Sequence, residues 1–114
     1  MASNEIKNFG IIGWPVEHSL SPKMYQAAFK SSGFPNYNYI LLPIQAGRLM
    51  LTVDGLKGLN VSGASVTIPH KTNIIKFLDA LDADAMIIGA VNTIVNNGGK
   101  ITGYNTDVTG FLTA

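Results

Sequence analysis

Two hydroxyls and a lysine lie along one strand-like segment, Gly63-Ala64-Ser65-Val66-Thr67-Ile68-Pro69-His70-Lys71. Because side chains alternate in an extended strand, Ser65 and Thr67 share one face. Pro69 cannot donate a hydrogen bond to a sheet, which predicts that the strand ends there and presents Lys71 near its carboxyl end. Ligands of open α/β sheets bind outside the carboxyl ends of strands, so this segment is a candidate site. The alternative is a half-exposed strand with Lys71 in water.

Three further places carry polar residues that packing does not require. They are Ser19 and Ser21, Asn92-Thr93, and Asn105-Thr106-Asp107. Ser21 and Asp107 also have structural explanations, as a helix cap and as a charge in a first helical turn. If these groups converge with Lys71, they form a pocket of hydroxyls, amides, one ammonium and one carboxylate. Such a pocket suits a small, neutral-to-anionic polyhydroxy compound, with Lys71 and Asp107 as an acid/base pair.

The composition argues against several other functions. The formal net charge is +1 and no Lys/Arg run occurs, so a nucleic-acid-binding surface is not expected. No cysteine is present, and His18 and His70 lack partners at metal-ligand spacing, which argues against a zinc site. Neither a P-loop nor a G-x-G-x-x-G occurs, so this chain by itself is not expected to bind a dinucleotide. Apolar runs are short and no signal peptide is evident; we expect no membrane contact and a cytoplasmic location.

Strands and helices alternate in the predicted order of elements. We predict strands at 8–13, 36–43, 63–69, 90–95 and 100–104, and helices at 21–33, 45–59 and 72–81. We also predict a short connector or a single helical turn at 85–89, and a helix that begins at Thr106 or Asp107. Ser21-Pro22 is typical of a helix start, and Asn96-Asn97-Gly98-Gly99 predicts a hairpin turn. The pattern indicates one α/β domain of three layers, with a mixed, mainly parallel sheet flanked by helices and an antiparallel hairpin at one edge. The last helix has about two turns before Ala114, so we expect the natural protein to continue.

Four motifs, taken in order, resemble those of the N-terminal, substrate-binding domain of shikimate dehydrogenases, and the resemblance covers the whole chain, 1–114. They are Gly13-Trp14-Pro15-Val16-Glu17-His18-Ser19-Leu20-Ser21-Pro22, Val66-Thr67-Ile68-Pro69-His70-Lys71, Gly89-Ala90-Val91-Asn92-Thr93 and Gly103-Tyr104-Asn105-Thr106-Asp107. The resemblance implies a reversible, NADP(H)-dependent reduction of 3-dehydroshikimate to shikimate in aromatic amino-acid biosynthesis. It also implies that a C-terminal Rossmann domain, which this chain lacks, holds NADP, so the chain alone is expected to be inactive.

The resemblance also implies roles for single residues. Ser19 and Ser21 would bind the substrate carboxylate. Lys71 and Asp107 would contact the ring hydroxyls and act as the catalytic pair. The remaining residues that would line the substrate pocket are Ser65, Thr67, Asn92 and Thr106.

Ser65 departs from the commonest family pattern, which has Asn at this position. A hydroxyl is shorter than an amide and offers one donor instead of two, so we expect rearranged or water-bridged ring contacts. The extra room leaves open a relative that acts on quinate as well as shikimate. A binding module that holds a polyhydroxy acid without chemistry is the alternative from another functional class. We also expect self-association as a homodimer, through apolar surface at the last helix and the cleft wall.

Overall fold

The computed structural model describes residues 6–16 and 21–107. Its strands are β1 (Lys7–Gly13), β2 (Tyr37–Pro43), β3 (Val61–Val66), β4 (Ala80–Leu81), β5 (Thr93–Asn97) and β6 (Lys100–Tyr104). Its helices are α1 (Ser21–Ser31), α2 (Leu49–Gly58) and α3 (Ala83–Ile88), with short 3-10 helices at Ala46–Arg48 and Ile75–Phe77. None of the helices within these ranges is long and apolar enough to cross a membrane.

The strands form one mixed sheet in the order β2-β1-β3-β5-β6-β4. The β1 strand pairs in parallel with β2 and β3, and β4 pairs in parallel with β6, whereas β5 is antiparallel to both β3 and β6. Gly98 and Gly99 adopt positive φ angles of 61° and 96° in the β5–β6 turn, as the hairpin prediction requires. The mixed, mainly parallel sheet is therefore confirmed. The predicted position of the hairpin at the sheet edge is wrong, because β4 pairs with β6 and forms that edge.

Helices cover both faces of the sheet, which gives the three predicted layers. On one face, Leu49, Val53 and Leu56 of α2 pack on an aliphatic core that includes Ile12 and Ile94. On the opposite face, aromatic rings of α1 meet aromatic rings of β1 and β2; these rings are Tyr25, Phe29, Phe9, Tyr37 and Tyr39. The aliphatic and aromatic faces arise from the alternation of side chains along each strand.

The helix predicted from Thr72 to Leu81 is wrong. The segment forms turns, one 3-10 helix and then β4. The Asp79 backbone N–H donates to the Ile101 carbonyl oxygen at 2.9 Å, and the Asp79 carboxylate accepts from the Ile101 N–H at 2.8 Å. These contacts with β6 fix an extended chain. Short apolar runs such as this one fit a strand as well as a helix, and pairing with β6 decides between them.

Several other boundaries differ by a few residues. The β3 strand ends at Val66 rather than at Pro69. The segment predicted as a connector or a single helical turn at 85–89 is helical, as the larger part of α3. This helix begins earlier because Asp82 caps it by accepting from the Ala85 N–H at 2.9 Å. The Trp14–Pro15 and Ile68–Pro69 peptide bonds are cis. Of the predicted last helix, the structure describes only the beginning, at Asp107.

Candidate active site

Backbone hydrogen bonds hold the loop that follows β3. The Thr67 N–H donates to the Ile12 carbonyl oxygen at 2.9 Å, which extends the pairing with β1 beyond the end of β3. The His70 N–H donates to the Thr67 carbonyl oxygen at 3.0 Å, and the Lys71 carbonyl oxygen accepts from the Val91 N–H at 2.7 Å. The loop therefore fixes Thr67 and Lys71 at the carboxyl ends of β1 and β3, where the sequence predicts a site.

His70 anchors this loop from inside. Its side chain is fully buried, and Nε2 donates to the carbonyl oxygen of Ile44, in the segment between β2 and α2. Its Nδ1 has no hydrogen-bond partner among the described residues. Buried polar groups are costly unless they are bonded, so His70 fixes the loop through Nε2 alone. This histidine is hydrogen-bonded and buried, and it is not at the surface.

The structure brings Lys71 and Asp107 together. Lys71 Nζ lies 3.8 Å from Asp107 Oδ2. The two side chains are 39% and 70% exposed, so both charges face solvent. An exposed ion pair contributes little to stability, and the pair is instead open to a ligand.

Asn92 and Asn105 position the segment that carries Asp107. Asn92 Oδ1 accepts from the Thr106 N–H at 3.1 Å, and Asn92 Nδ2 donates to Thr106 Oγ1 at 3.0 Å. Buried Asn105 donates from Nδ2 to the Ala90 carbonyl oxygen at 3.1 Å and accepts the Asp107 N–H at 3.0 Å. Lys71, Asn92, Thr106 and Asp107 thus form one connected group, here called the lysine side.

Ser65 belongs to a second group of side chains. Its Oγ accepts a hydrogen bond from the hydroxyl of Tyr39 at 3.0 Å. The Tyr39 ring stacks on the ring of Tyr25, with centroids 4.4 Å apart and an interplanar angle of 7°. Burial raises the pKa of Tyr39, so its hydroxyl remains protonated at neutral pH. Ser65, Tyr39 and Tyr25 are here called the serine side.

The sequence points to Asn105 among the polar residues of the site, but its role in holding Asp107 depends on burial. The sequence gives no sign of Tyr39, which lies in the strand predicted at 36–43. An alternating tyrosine gives no signal of a contact made across another strand, since β1 separates β2 from β3.

The structure gives fewer contacts for the remaining predicted residues. Ser65 and Thr93 face each other in the register of β3 and β5, and the Thr93 hydroxyl donates to Asn92 Oδ1 at 3.0 Å. Ser19 lies outside the described residues. Ser21 begins α1, but its side chain also lies outside the described part. The contact of these two serines with a carboxylate therefore stays a prediction.

The arrangement offers donors and acceptors to a small polar ligand. An ammonium, a carboxylate, two amides and several hydroxyls lie around the carboxyl ends of β1 and β3. Across residues 6–16 and 21–107, no three histidine, aspartate or glutamate side chains cluster as metal ligands. The geometry suits proton transfer between a lysine and an oxygen of a bound ligand.

Comparison with known proteins identifies the family. Residues 11–94 match the sequence model of the family described as the shikimate dehydrogenase substrate binding domain. The chain belongs to this family. A shikimate dehydrogenase (NADP(+)) of Methanocaldococcus jannaschii is 50% identical over 107 residues, which are 94% of this chain and 38% of that protein. The chain thus spans well under half the length of this relative.

Solved structures agree with this assignment. The crystal structure of shikimate 5-dehydrogenase from Listeria monocytogenes in complex with shikimate and NAD is 40% identical, with a TM-score of 0.89 over 97% of this chain and 38% of that one. The ligand-free 5-ketofructose reductase of a Gluconobacter strain is 30% identical, with a TM-score of 0.89 over 97% of this chain and 40% of that one. The shikimate dehydrogenase fold is thus shared with a protein named for a different reaction.

Proposed function

We propose that this chain, 1–114, is the substrate-binding domain of an NADP-dependent shikimate dehydrogenase, and that it binds shikimate and 3-dehydroshikimate. The observation that carries the proposal is the 3.8 Å approach of Lys71 Nζ to Asp107 Oδ2 beside the amide of Asn92. Membership of the shikimate dehydrogenase substrate-binding family supports the choice of ligand.

Each proposed role follows from the chemistry of the side chain. The Lys71 ammonium gives a proton to the carbonyl oxygen when the ketone is reduced, and the amine takes it back when the alcohol is oxidised. The Asp107 carboxylate orients Lys71 and accepts a hydrogen bond from a ring hydroxyl. The remaining substrate contacts are Thr67, Asn92, Thr106 and Ser65 on the ring, and Ser19 and Ser21 on the carboxylate.

The turn after β1 does not fit the phosphates of a dinucleotide. A side-chain Cβ at Gly13 would lie 2.3 Å from Thr67 Cγ2 and 2.5 Å from Val16 Cγ1, so side chains fill the space around this glycine. A dinucleotide-binding turn instead leaves its backbone N–H groups open to the pyrophosphate. We therefore propose that NADP, which supplies the hydride, is held by a part of the natural protein outside this chain.

Two measurements test the proposal. The complete protein that carries this chain should oxidise shikimate with NADP⁺, and absence of this activity would refute the enzyme assignment. Calorimetry on the 114-residue chain should detect weak binding of shikimate and no binding of NADPH. Tight binding of NADPH to this chain would refute the proposal that NADP is held outside it.

A second candidate is a dehydrogenase that also acts on quinate. Ser65 favours it, because a serine leaves more room than the asparagine that is common at this position. The similarity to a 5-ketofructose reductase supports a fold that tolerates different ligands. The ratio of kcat/KM for shikimate and quinate decides between the two enzymes, and shikimate binding without turnover in the complete protein would favour a non-catalytic binding module.

We also propose a homodimer and a cytoplasmic location. Exposed apolar side chains support the dimer: Met86 and Ile87 of α3 are 66% and 84% exposed. Sedimentation at high protein concentration tests the association, and a strictly monomeric profile would contradict it.

A further inference from the structure

The hydroxyl of Ser65 is bonded from across the sheet. Ser65 lies in β3 and Tyr39 in β2, and β1 runs between these two strands. The Tyr39 ring reaches over β1, and its hydroxyl donates to Ser65 Oγ at 3.0 Å. Ser65 is therefore held by the tip of a long, rigid side chain, and not by its neighbours in sequence.

This hydrogen bond determines which donor and acceptor capacity the Ser65 hydroxyl retains for a ligand. A serine hydroxyl has one proton to donate and two lone pairs to accept with. Tyr39 occupies one lone pair, and within the described residues the Ser65 hydroxyl donates to no partner. Its proton is available to an oxygen of a ligand. Ser65 thus acts as a donor at a position where an asparagine amide would carry its own two donors.

Tyr39 is in turn fixed by α1. Its side chain is buried and stacks on Tyr25, and its backbone N–H donates to Gln26 Oε1 at 3.1 Å. Gln26 Nε2 also donates to the Tyr37 carbonyl oxygen at 2.7 Å, so the Gln26 amide pairs with the edge of β2 as a neighbouring strand would. Because Tyr25 and Gln26 lie in the middle of α1, Tyr39 links the middle of this helix to Ser65.

We infer that Tyr39 is a positioning residue for substrate binding, which acts by holding Ser65 as a hydrogen-bond donor toward the ligand. The inference rests on the proposed function. It explains how serine serves where asparagine is common, since the phenol compensates for the shorter side chain by fixing the hydroxyl. Tyr39 itself does not touch the reacting atoms.

The test uses the complete protein that carries this chain and measures shikimate oxidation with NADP⁺. A hydrogen bond contributes about 0.5–1.5 kcal/mol, so Tyr39→Phe should raise the KM for shikimate by about 2- to 13-fold. The kcat should change by less than about twofold, because Lys71 and Asp107 remain in place. Ser65→Ala should raise KM by a similar factor.

The double variant separates positioning from packing. If Tyr39 acts through Ser65, Tyr39→Phe should have no further effect on KM in a Ser65→Ala background. Tyr37→Phe is the matched control, because Tyr37 lies on the same face of β2 and its hydroxyl bonds to none of the described residues. It should leave KM unchanged.

Three results would overturn the inference. They are an unchanged KM in Tyr39→Phe, additive effects of the two single substitutions, and an equal effect of Tyr37→Phe. If Tyr39→Phe does not fold, an unchanged KM in Ser65→Ala overturns it. Lack of shikimate oxidation by the unmodified protein would instead refute the proposed function.

Discussion

The lysine side and the serine side of the candidate site are built in different ways. On the lysine side, backbone groups near Lys71 and Asp107 bond to other backbone groups or to short asparagine side chains. On the serine side, Ser65 depends on a tyrosine two strands away, which depends in turn on α1. Hydrogen bonds of the backbone and of short asparagine side chains therefore hold the groups assigned to chemistry, whereas a long tyrosine side chain holds a group assigned to recognition. We expect substitutions on the lysine side to change turnover and those on the serine side to change affinity.

The largest expected effect is that of Lys71→Ala. A positioned acid or base contributes about 10²- to 10⁴-fold, so kcat for shikimate in the complete protein should fall by a factor in this range. The KM should change much less, because the other polar contacts remain. Steady-state kinetics with both substrates measures this split.

Lys76→Ala is the matched control for that prediction. Lys76 is an exposed lysine five positions later, and its ammonium lies 5.2 Å from the centroid of the Phe77 ring and forms no ion pair with the described residues. Turnover should be unaffected by its removal. If Lys71→Ala retained near-normal turnover, the assignment of the proton donor would be wrong.

Gly13→Ala should disturb the packing between the end of β1 and the loop that follows β3. The new Cβ would lie 2.3 Å from Thr67 Cγ2 and 2.5 Å from Val16 Cγ1. Overpacking of this kind costs about 1–3 kcal/mol, so the melting temperature of the chain should fall. Gly47→Ala is the control, because a Cβ there meets no heavy atom within 4 Å. Equal melting temperatures for the two variants would show that the space around Gly13 can relax.

The lysine side could be predicted from sequence to a large extent. Pro69, the turn after it and the polar start of β5 each mark the end or the beginning of a strand, and strand ends meet at one edge of the sheet. Lys71 and Asp107 do lie 3.8 Å apart, although the sequence left open whether the polar groups converge. The supporting role of Asn105 followed only from its burial, which a motif does not report.

The serine side and the region around β4 could not be predicted in the same way. Tyr39 and Ser65 are 26 residues apart, and no periodicity links them. The apolar residues Ile74, Ile75, Leu78 and Leu81 fit a helical stripe, but hydrogen bonds of Asp79 with β6 leave only a 3-10 helix at Ile75–Phe77, which is followed by β4. In both cases a contact between distant segments decides the local structure, and such contacts override local propensity.

A smaller effect is expected for Gln26→Ala, which tests how α1 supports the serine side. The substitution removes two hydrogen bonds between the Gln26 amide and the backbone of β2, one donated to the Tyr37 carbonyl oxygen and one accepted from the Tyr39 N–H. Because the Gln26 side chain is exposed, each hydrogen bond should contribute at the low end of the usual range. The free energy of unfolding should therefore fall by about 1 kcal/mol in total, with a modest fall in melting temperature. In the complete protein Gln26→Ala should raise the KM for shikimate, as Tyr39→Phe should, but by a smaller factor.

Gln45→Ala is the control for Gln26→Ala. Gln45 is also exposed, and its side chain forms no capping hydrogen bond at the 3-10 helix that it precedes. It should alter neither the melting temperature nor KM. A fall in melting temperature for Gln26→Ala without any rise in KM would show that α1 does not support Ser65.

The smallest effect is expected for Asp79→Asn, which tests whether the contact of Asp79 with β6 stabilises the lysine side. Asp79 contacts β6, the strand that leads to Asp107, and the hydrogen bond from the Ile101 N–H, followed by Lys57, lowers the pKa of its carboxyl group. A lowered pKa stabilises the fold above the unfolded value of about 3.9, and this contribution is lost as the pH falls through the folded value. The melting temperature of the unmodified chain should therefore be higher than that of Asp79→Asn at pH 7. The difference between the two melting temperatures should shrink below about pH 4.

The charge on Lys57 provides the internal check on this pH dependence. Lys57 Nζ lies 3.2 Å from Asp79 Oδ2, but both side chains are exposed, and the backbone hydrogen bond from Ile101 is the larger cause of the lowered pKa. Lys57→Gln should therefore reproduce only part of the effect of Asp79→Asn in thermal melts between pH 7 and pH 3. A difference between the unmodified chain and Asp79→Asn that stays constant over this range would mean that the carboxylate charge does not support β6.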